Sequence, residues 1–328
     1  MPTRARFIRT LVSACAALAL GAAALTAQAA DGPWPNKPIR LIVLYTPGGA
    51  SDIIARTLGQ KLSDSLGQPV VVDNRPGGNG FIGLDIAAHA PPDGYTLVLG
   101  AAPVVVSPAL FKSMPFDPVK DFVPVSLVAR TLNVLVAAKS FPANNASELI
   151  AMAKAKPGEY SYASASPLFT LASELINTSA GIDLLRVPYK GVAEALTDVS
   201  AGRVSVMVDT VGAQMPHIKG GRVKPLAVLS KTRHPNLPEV PTLAESGLPG
   251  YDEEGWVGIL APKGTPPEIV ARLNKETVAA LKLPDVQQKL DGLGFVTASS
   301  TPDQLATRIR TDIARYIKVA SDAKIQKE

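Results

Sequence analysis

From residue 39 onward the chain alternates short apolar runs with stretches whose apolar residues recur at helical spacing. The runs Ile39–Tyr45, Val70–Asp73 and Tyr95–Gly100 predict buried strands, and Ile53–Leu66 and Gly80–His89 predict the helices between them. After a Pro-rich loop, 123–137 forms an apolar run unusually long for one strand, the length expected of a strand passing between lobes. A second alternating set follows, with helices over 146–155, 169–179 and 192–201 and strands over 160–163, 184–189, 204–209 and 223–229. A turn-rich segment, an apolar run over 251–262 and helices over 266–281, 285–290 and 302–320 close the chain. Strands alternating with helices predict an α/β protein with a parallel or mixed sheet in each of two lobes. The first lobe is assigned to 30–130 plus 260–328 and the second to 131–259. Two crossings between the lobes place a ligand cleft there, because small ligands bind at domain interfaces and beyond the carboxyl ends of parallel strands.

The first strand-to-helix turn, Thr46-Pro47-Gly48-Gly49-Ala50-Ser51-Asp52, carries the strongest local chemistry. A glycine pair admits close backbone approach and leaves the first amides of the helix uncovered, which is an anion site. A phosphate-binding P-loop needs a Lys directly after its second glycine, and here none occurs until Lys61, so a nucleotide is not the expected anion. Asp52 reads as a structural residue, since a carboxylate facing an anionic ligand would repel it.

The N-terminus changes the accounting. Arg4, Arg6 and Arg9, an apolar stretch from Leu11 to Leu25 and Ala27-Gln28-Ala29 predict a secretory signal peptide over 1–29, cleaved after Ala29. Val12-Ser13-Ala14-Cys15 imitates a lipoprotein box, but the apolar run continues past Cys15. Removing the leader takes the basic residues from 33 to 30 against 28 acidic ones, a net charge of +2 rather than +5. Such a balance is no nucleic-acid footprint. The single cysteine leaves with the leader, and with it any disulfide, thiolate metal site or thiol nucleophile.

The blocks WPNKPIRLIVLYTPGGASDIIAR, GQPVVVDNRPGGNGFIG, PPDGYTLVLG, FDPVKDFVPVSLVA, VPYKGVAEALTDVSAGRV, PHIKGGRVKPLAV and LPEVPTLAESGLPGYDEEGWVGILAPKGTP occur in order, and over essentially the whole mature chain the sequence resembles the Bug family. These are periplasmic receptors of tripartite tricarboxylate transporters. The resemblance implies a periplasmic-binding-protein fold of the Venus-flytrap kind, a small organic carboxylate captured between the lobes, delivery to transporter components in the membrane, and no cofactor. It also implies binding loops. Carried onto this chain they are the first turn (Thr46, Gly48, Gly49, Ala50, Ser51), the segment 100–107 with Ala101, the second-lobe turn 164–170 (Ser164, Ser166, Thr170), and the strand ends at Tyr189 and at Asp209-Thr210. In the family, backbone amides and small hydroxyls of the first and third of these hold the carboxylate. Two departures stand out. Ala165-Ser166-Pro167-Leu168-Phe169 lacks the glycines and His that many members carry, and Ala101-Ala102-Pro103-Val104 replaces Asn-x-Gly-Thr. The second change makes that wall apolar and points to a ligand with a hydrophobic or aromatic body.

Other readings find less support in the residues. Gly78-Asn79-Gly80-Phe81-Ile82-Gly83 matches a dinucleotide fingerprint, but the following strand ends without the acid that would hold a ribose. His89, His217 and His234 form no paired metal spacing, and Glu253-Glu254 are adjacent and so face opposite sides of a strand. No nucleophile, base and orienting group assemble, which leaves an exported hydrolase or isomerase on the same fold as the alternative to transport. A signalling receptor that binds without delivering is a further one.

Overall fold

The computed structural model describes residues 33–328, so the expected signal peptide and Cys15 lie outside the described residues. Two mixed sheets share one strand. In the first, β1 (Ile39–Val43), β2 (Val70–Asn74) and β3 (Thr96–Gly100) are parallel. β9 (Glu254–Pro262) joins β3 antiparallel and continues onto β4 (Phe122–Ala138), which also carries the short β10 (Phe295–Thr297). In the second sheet β5 (Ser161–Ser164), β6 (Leu185–Pro188) and β7 (Val206–Thr210) are parallel, while β7 and β8 (Val223–Val228) pair antiparallel with the far half of β4. β4 is therefore one 17-residue strand that serves the first sheet up to Leu132 and the second from Asn133.

Helices cover both faces of both sheets, which is why the parallel strands read as continuous apolar runs. On one face of the first sheet, α1 (Ala50–Leu66) buries Ile54, Leu58, Leu62 and Leu66 in a core completed by α8 (Pro267–Leu281) and α9 (Pro284–Gly292). On the other face lie α2 (Phe81–Ala88), α3 (Pro103–Leu110) and α10 (Pro302–Asp322). The second sheet has α4 (Ala146–Ala155) and α5 (Pro167–Ala180) on one side. It has α6 (Val192–Ser200) and α7 (Val211–Lys219) on the other. Among the described residues no helix is long and apolar enough to cross a membrane.

Three elements escape the sequence pattern, each for a local reason. α3 contains three consecutive valines and an internal Pro108, both poor for helices, and is started by Pro103 at its first turn. α7 contains Gly212 and Pro216 in nine residues. β10 has only three residues, too few for alternation to register.

The lobes meet where β4 changes partners. Asn133, fully buried, donates from Nδ2 to Glu253 Oε2 at 2.8 Å, and the Tyr316 hydroxyl of α10 donates to Glu253 Oε1 at 2.9 Å. Glu253 thus binds the crossing strand to the C-terminal helix, and burial raises its pKa. Its neighbour Glu254 takes the other face and pairs with Arg130 at 3.1 Å. Beside this junction Gly212 of α7 packs backbone to backbone on Leu293-Gly294, where a Cβ on Gly212 would lie 2.5 Å from the Leu293 carbonyl oxygen.

Candidate ligand-binding cleft

The two glycines of the first turn do different work. Gly48 has φ +84°, a left-handed conformation that glycine adopts without strain, and open space around its missing Cβ. Gly49 has φ −77° and ψ 169°, which any residue can adopt. Its lack of a side chain therefore serves space, not conformation, and it lines a cavity. Gly49 is the N-cap of α1 and provides no side chain to the first helical amides, whereas Ser166, Thr210 and Thr301 cap their helices with hydroxyls. The start of α1 is thus an uncovered row of donors facing empty space.

Asp52 orders this turn from behind, as expected of a structural carboxylate. It is buried, accepts from the Gly48 amide at 2.9 Å and pairs with Arg56 at 2.9 Å. Arg56 also reaches Asn74 Oδ1, and Asn74 returns a hydrogen bond to the Tyr45 carbonyl, tying the turn to the end of β2. The Arg56 hydrogen bond, opposed by burial and aided by the Gly48 amide, holds the Asp52 carboxyl down at about 2. One consequence is that the Gly48 amide is already engaged, and the amides left for a ligand begin beyond it.

A cavity of about 350 Å³ opens in front of the turn. Thr46, Gly49, Ala50 and Ser51 form one end, and Ala101-Ala102 at the start of α3 form a wall. Thr131 of β4 and Gly255–Val257 of β9 form the floor, Phe295 of β10 one side, and Leu168 reaches in from α5 across the cleft. Both lobes therefore contribute. None of these residues carries a charged side chain. Trp256 is held rigid by its Nε1 hydrogen bond to buried Asp312, which Arg308 and Arg315 neutralise.

The second-lobe residues expected from the sequence gather in a different cavity, about 600 Å³, beyond the first turn of α5. Ser164, Ser166, Thr170 and Tyr189 line it together with Arg186, Lys190 and the C-terminal segment 323–328. Most of their polar atoms are occupied. Ser166 caps α5 by accepting from the Phe169 amide, and Thr170 Oγ1 donates to the Ser166 carbonyl at 2.8 Å. The Tyr189 hydroxyl donates to Asp198 at 2.7 Å, and burial together with that bond pushes its pKa up to about 12. Asp209 and Thr210 line neither cavity. Asp209 accepts from Gln214 Nε2 and the Thr210 amide, both at 2.7 Å, with its pKa raised by burial, and Thr210 caps α7.

Sequence reasoning found the turn and the Ala101-Ala102 wall but not the rest of the lining. Thr131, Trp256, Phe295 and Leu168 sit inside apolar runs where nothing local separates a core position from a cleft position. Arg186, a single cation on an edge strand, carries no pattern in the sequence.

A family model described as "Tripartite tricarboxylate transporter family receptor" matches residues 54–324. A Pseudomonas sp. (strain P51) protein described as "UPF0065 protein in tcbD-tcbE intergenic region" is 42% identical over 97% of this chain and 95% of its own length. "Protein BugT" of Bordetella pertussis is 37% identical over 92% of this chain and 94% of its own. Among solved structures, R. palustris Rpa4515 with adipate superimposes with a TM-score of 0.76 at 36% identity, covering 90% of this chain and all of that one. MatC (Rpa3494) from Rhodopseudomonas palustris with bound malate gives a TM-score of 0.71 at 32% identity, covering 88% and 100%.

The electrostatics of the turn yield a pH test. The Asp52 carboxyl titrates near 2 when folded against an ordinary 3.8, so the stability it contributes is present above pH 4 and is lost as pH falls toward 2. Asp52→Asn is expected to lower the thermal midpoint at pH 7, through loss of a charge-assisted contact of about 1.5–3 kcal/mol. It is also expected to flatten the fall in midpoint between pH 4 and 2. Thermal unfolding across that range measures both, and an unchanged acid slope in the variant would contradict the role given to Asp52.

Proposed function

This chain belongs to the family of tripartite tricarboxylate transporter receptors, and from that premise we propose that it captures a small organic carboxylate with an apolar body in the cavity before α1 and delivers it to a membrane transporter. One observation carries the reading: an uncapped helix start faces a two-lobed cavity whose described lining holds no charged side chain. A carboxylate fits the amide row, and an aliphatic or aromatic body fits Ala101, Ala102, Leu168, Trp256 and Phe295. The relatives' ligands, adipate and malate, are both carboxylates, and adipate has the longer apolar body.

The energetics require both lobes. A helix N-terminus contributes about 0.3–2 kcal/mol toward an anion, whereas micromolar affinity requires about 8 kcal/mol. Four methylenes buried at about 0.8 kcal/mol each add about 3 kcal/mol. Hydrogen bonds completed when Leu168 and the rest of the second lobe close over the ligand supply the remainder. The moving halves are the two lobes expected from the sequence, 30–130 plus 260–328 and 131–259, with residues 254–259 transferred from the second lobe to the first. The pairing of β9 into the first sheet moves the second crossing to the residues just before Glu254. In this scheme the acid is released unchanged, and incubating protein with candidate acids and looking for chemical conversion tests that. Export through a leader cleaved after Ala29 completes the scheme, and intact-mass measurement of periplasmic protein should show a chain starting at Ala30 with no lipid. A diacylated Cys15 would contradict it.

Calorimetry tests the anion contact. Hexanoate should bind about ten- to a hundred-fold more tightly than hexanamide, because the swap removes the charge and leaves apolar burial nearly constant. Gly49→Val, compatible with the extended backbone of Gly49, should place its side chain in the cavity and abolish that preference while the protein stays folded. Equal affinity for acid and amide, or unaltered binding in the variant, would mean that the turn serves structure alone.

A further inference from the structure

The second cavity contains an arginine fork held in place by a chain of hydrogen bonds. Arg186 of β6 donates from Nε to Ser164 Oγ at 3.0 Å. An arginine only donates and a carbonyl only accepts, so the two ends of the chain of hydrogen bonds fix the direction of every proton between them. Arg186 donates to Ser164, Ser164 donates to Thr170 Oγ1 at 2.6 Å, and Thr170 donates to the Ser166 carbonyl. Ser164 and Thr170 are buried, and their hydroxyl protons are committed. They position the guanidinium and are not themselves available to a ligand.

The two Nη amino groups of Arg186 have no protein partner, and no carboxylate lies within ion-pair distance of Arg186 or Lys190 among the described residues. Lys324 lines the same space, as do two carboxylates, Glu174 and Glu328. Glu174 is engaged by the Tyr162 hydroxyl at 2.5 Å and by Asn177. The cavity thus presents an oriented, planar, double donor, which is the geometry that recognises a carboxylate bidentately.

Its position relates it to the first cavity. Leu168 lines the first and Pro167 the second, so only the first turn of α5 stands between them. α3 likewise runs from Ala102 at one to Leu110 at the other, roughly 12 Å for eight residues. The amide row at α1 belongs to the first sheet and Arg186 to the second, so a ligand touching both bridges the two halves of the molecule.

We propose that Arg186 is the specificity-determining residue of the second lobe, receiving the distal carboxylate of an extended diacid whose proximal carboxylate sits at α1. This rests on the carboxylate reading given above. Wild-type protein should bind adipate at least tenfold more tightly than hexanoate, which has the same chain and one acid. Arg186→Gln should bring the two within about twofold by weakening adipate alone, with hexanoate affinity and thermal midpoint unchanged. Arg186→Lys should retain part of the preference, and Ser164→Ala, which frees the guanidinium from its anchor, should reduce it in adipate only.

Calorimetry with both acids decides the matter. Adipate binding that is absent or no tighter than that of hexanoate in wild type, unchanged adipate binding in Arg186→Gln, or a parallel loss of both acids would overturn the assignment. Failure of the underlying carboxylate reading shows differently, as hexanoate and hexanamide binding alike.

Discussion

Every feature of the cleft depends on one strand, β4, passing through two sheets without a break. Its pairing changes at Leu132–Asn133 from β9 on the first-lobe side to β7 and β8 on the second. A strand that changes partners is a natural place to bend, and register shifts on either side, at Pro124/Ser126, Leu127/Ala129 and Leu135/Val136, show local twisting. The bend is not free. Asn133, Glu253 and Tyr316 form a buried hydrogen-bonded set at that point, and a buried carboxylate is tolerated only while both oxygens have donors. The network therefore joins the crossing strand to the C-terminal helix at the point where β4 changes sheets, and the cavity is built from residues on both sides of it.

On the proposed reading the cavity recognises charge without carrying any. Oriented backbone amides at the start of α1 do not titrate, and an enclosed contact of this kind is screened little by salt. Charge that is needed for the turn itself is kept behind it, on Asp52 and Arg56, where it pins Gly48 and leaves the amides beyond free. The second lobe follows a different rule, with Arg186 held by buried hydroxyls at the edge of its sheet. One lobe thus offers dipoles around an apolar chamber and the other a guanidinium.

Much of this was legible in the residues, and the remainder has physical reasons for being hidden. The first turn, the long crossing strand and the alternation into two α/β lobes follow from periodicity and from Pro47-Gly48-Gly49. The distinct needs of Gly48 and Gly49, conformation against space, required dihedral angles. Ser166 and Thr210 look alike in sequence whether they face a ligand or cap a helix, and here both cap. Tyr189 and Asp209 stand at strand ends, as binding residues often do, yet their polar atoms are satisfied by Asp198 and by Gln214. Conversely, Phe295 and Arg186 owe their places in the two cavities to tertiary packing, which no window of neighbouring residues encodes.

The central claim is that a ligand carboxylate lies against the start of α1 with both lobes closed over it. A crystal structure of the protein saturated with the acid that most raises its thermal midpoint tests it most directly. A carboxylate oxygen should lie about 2.7–3.2 Å from the Ala50 and Ser51 amides, with Leu168 in contact with the ligand body. A carboxylate held elsewhere, with the space before Gly49 empty, would contradict the account.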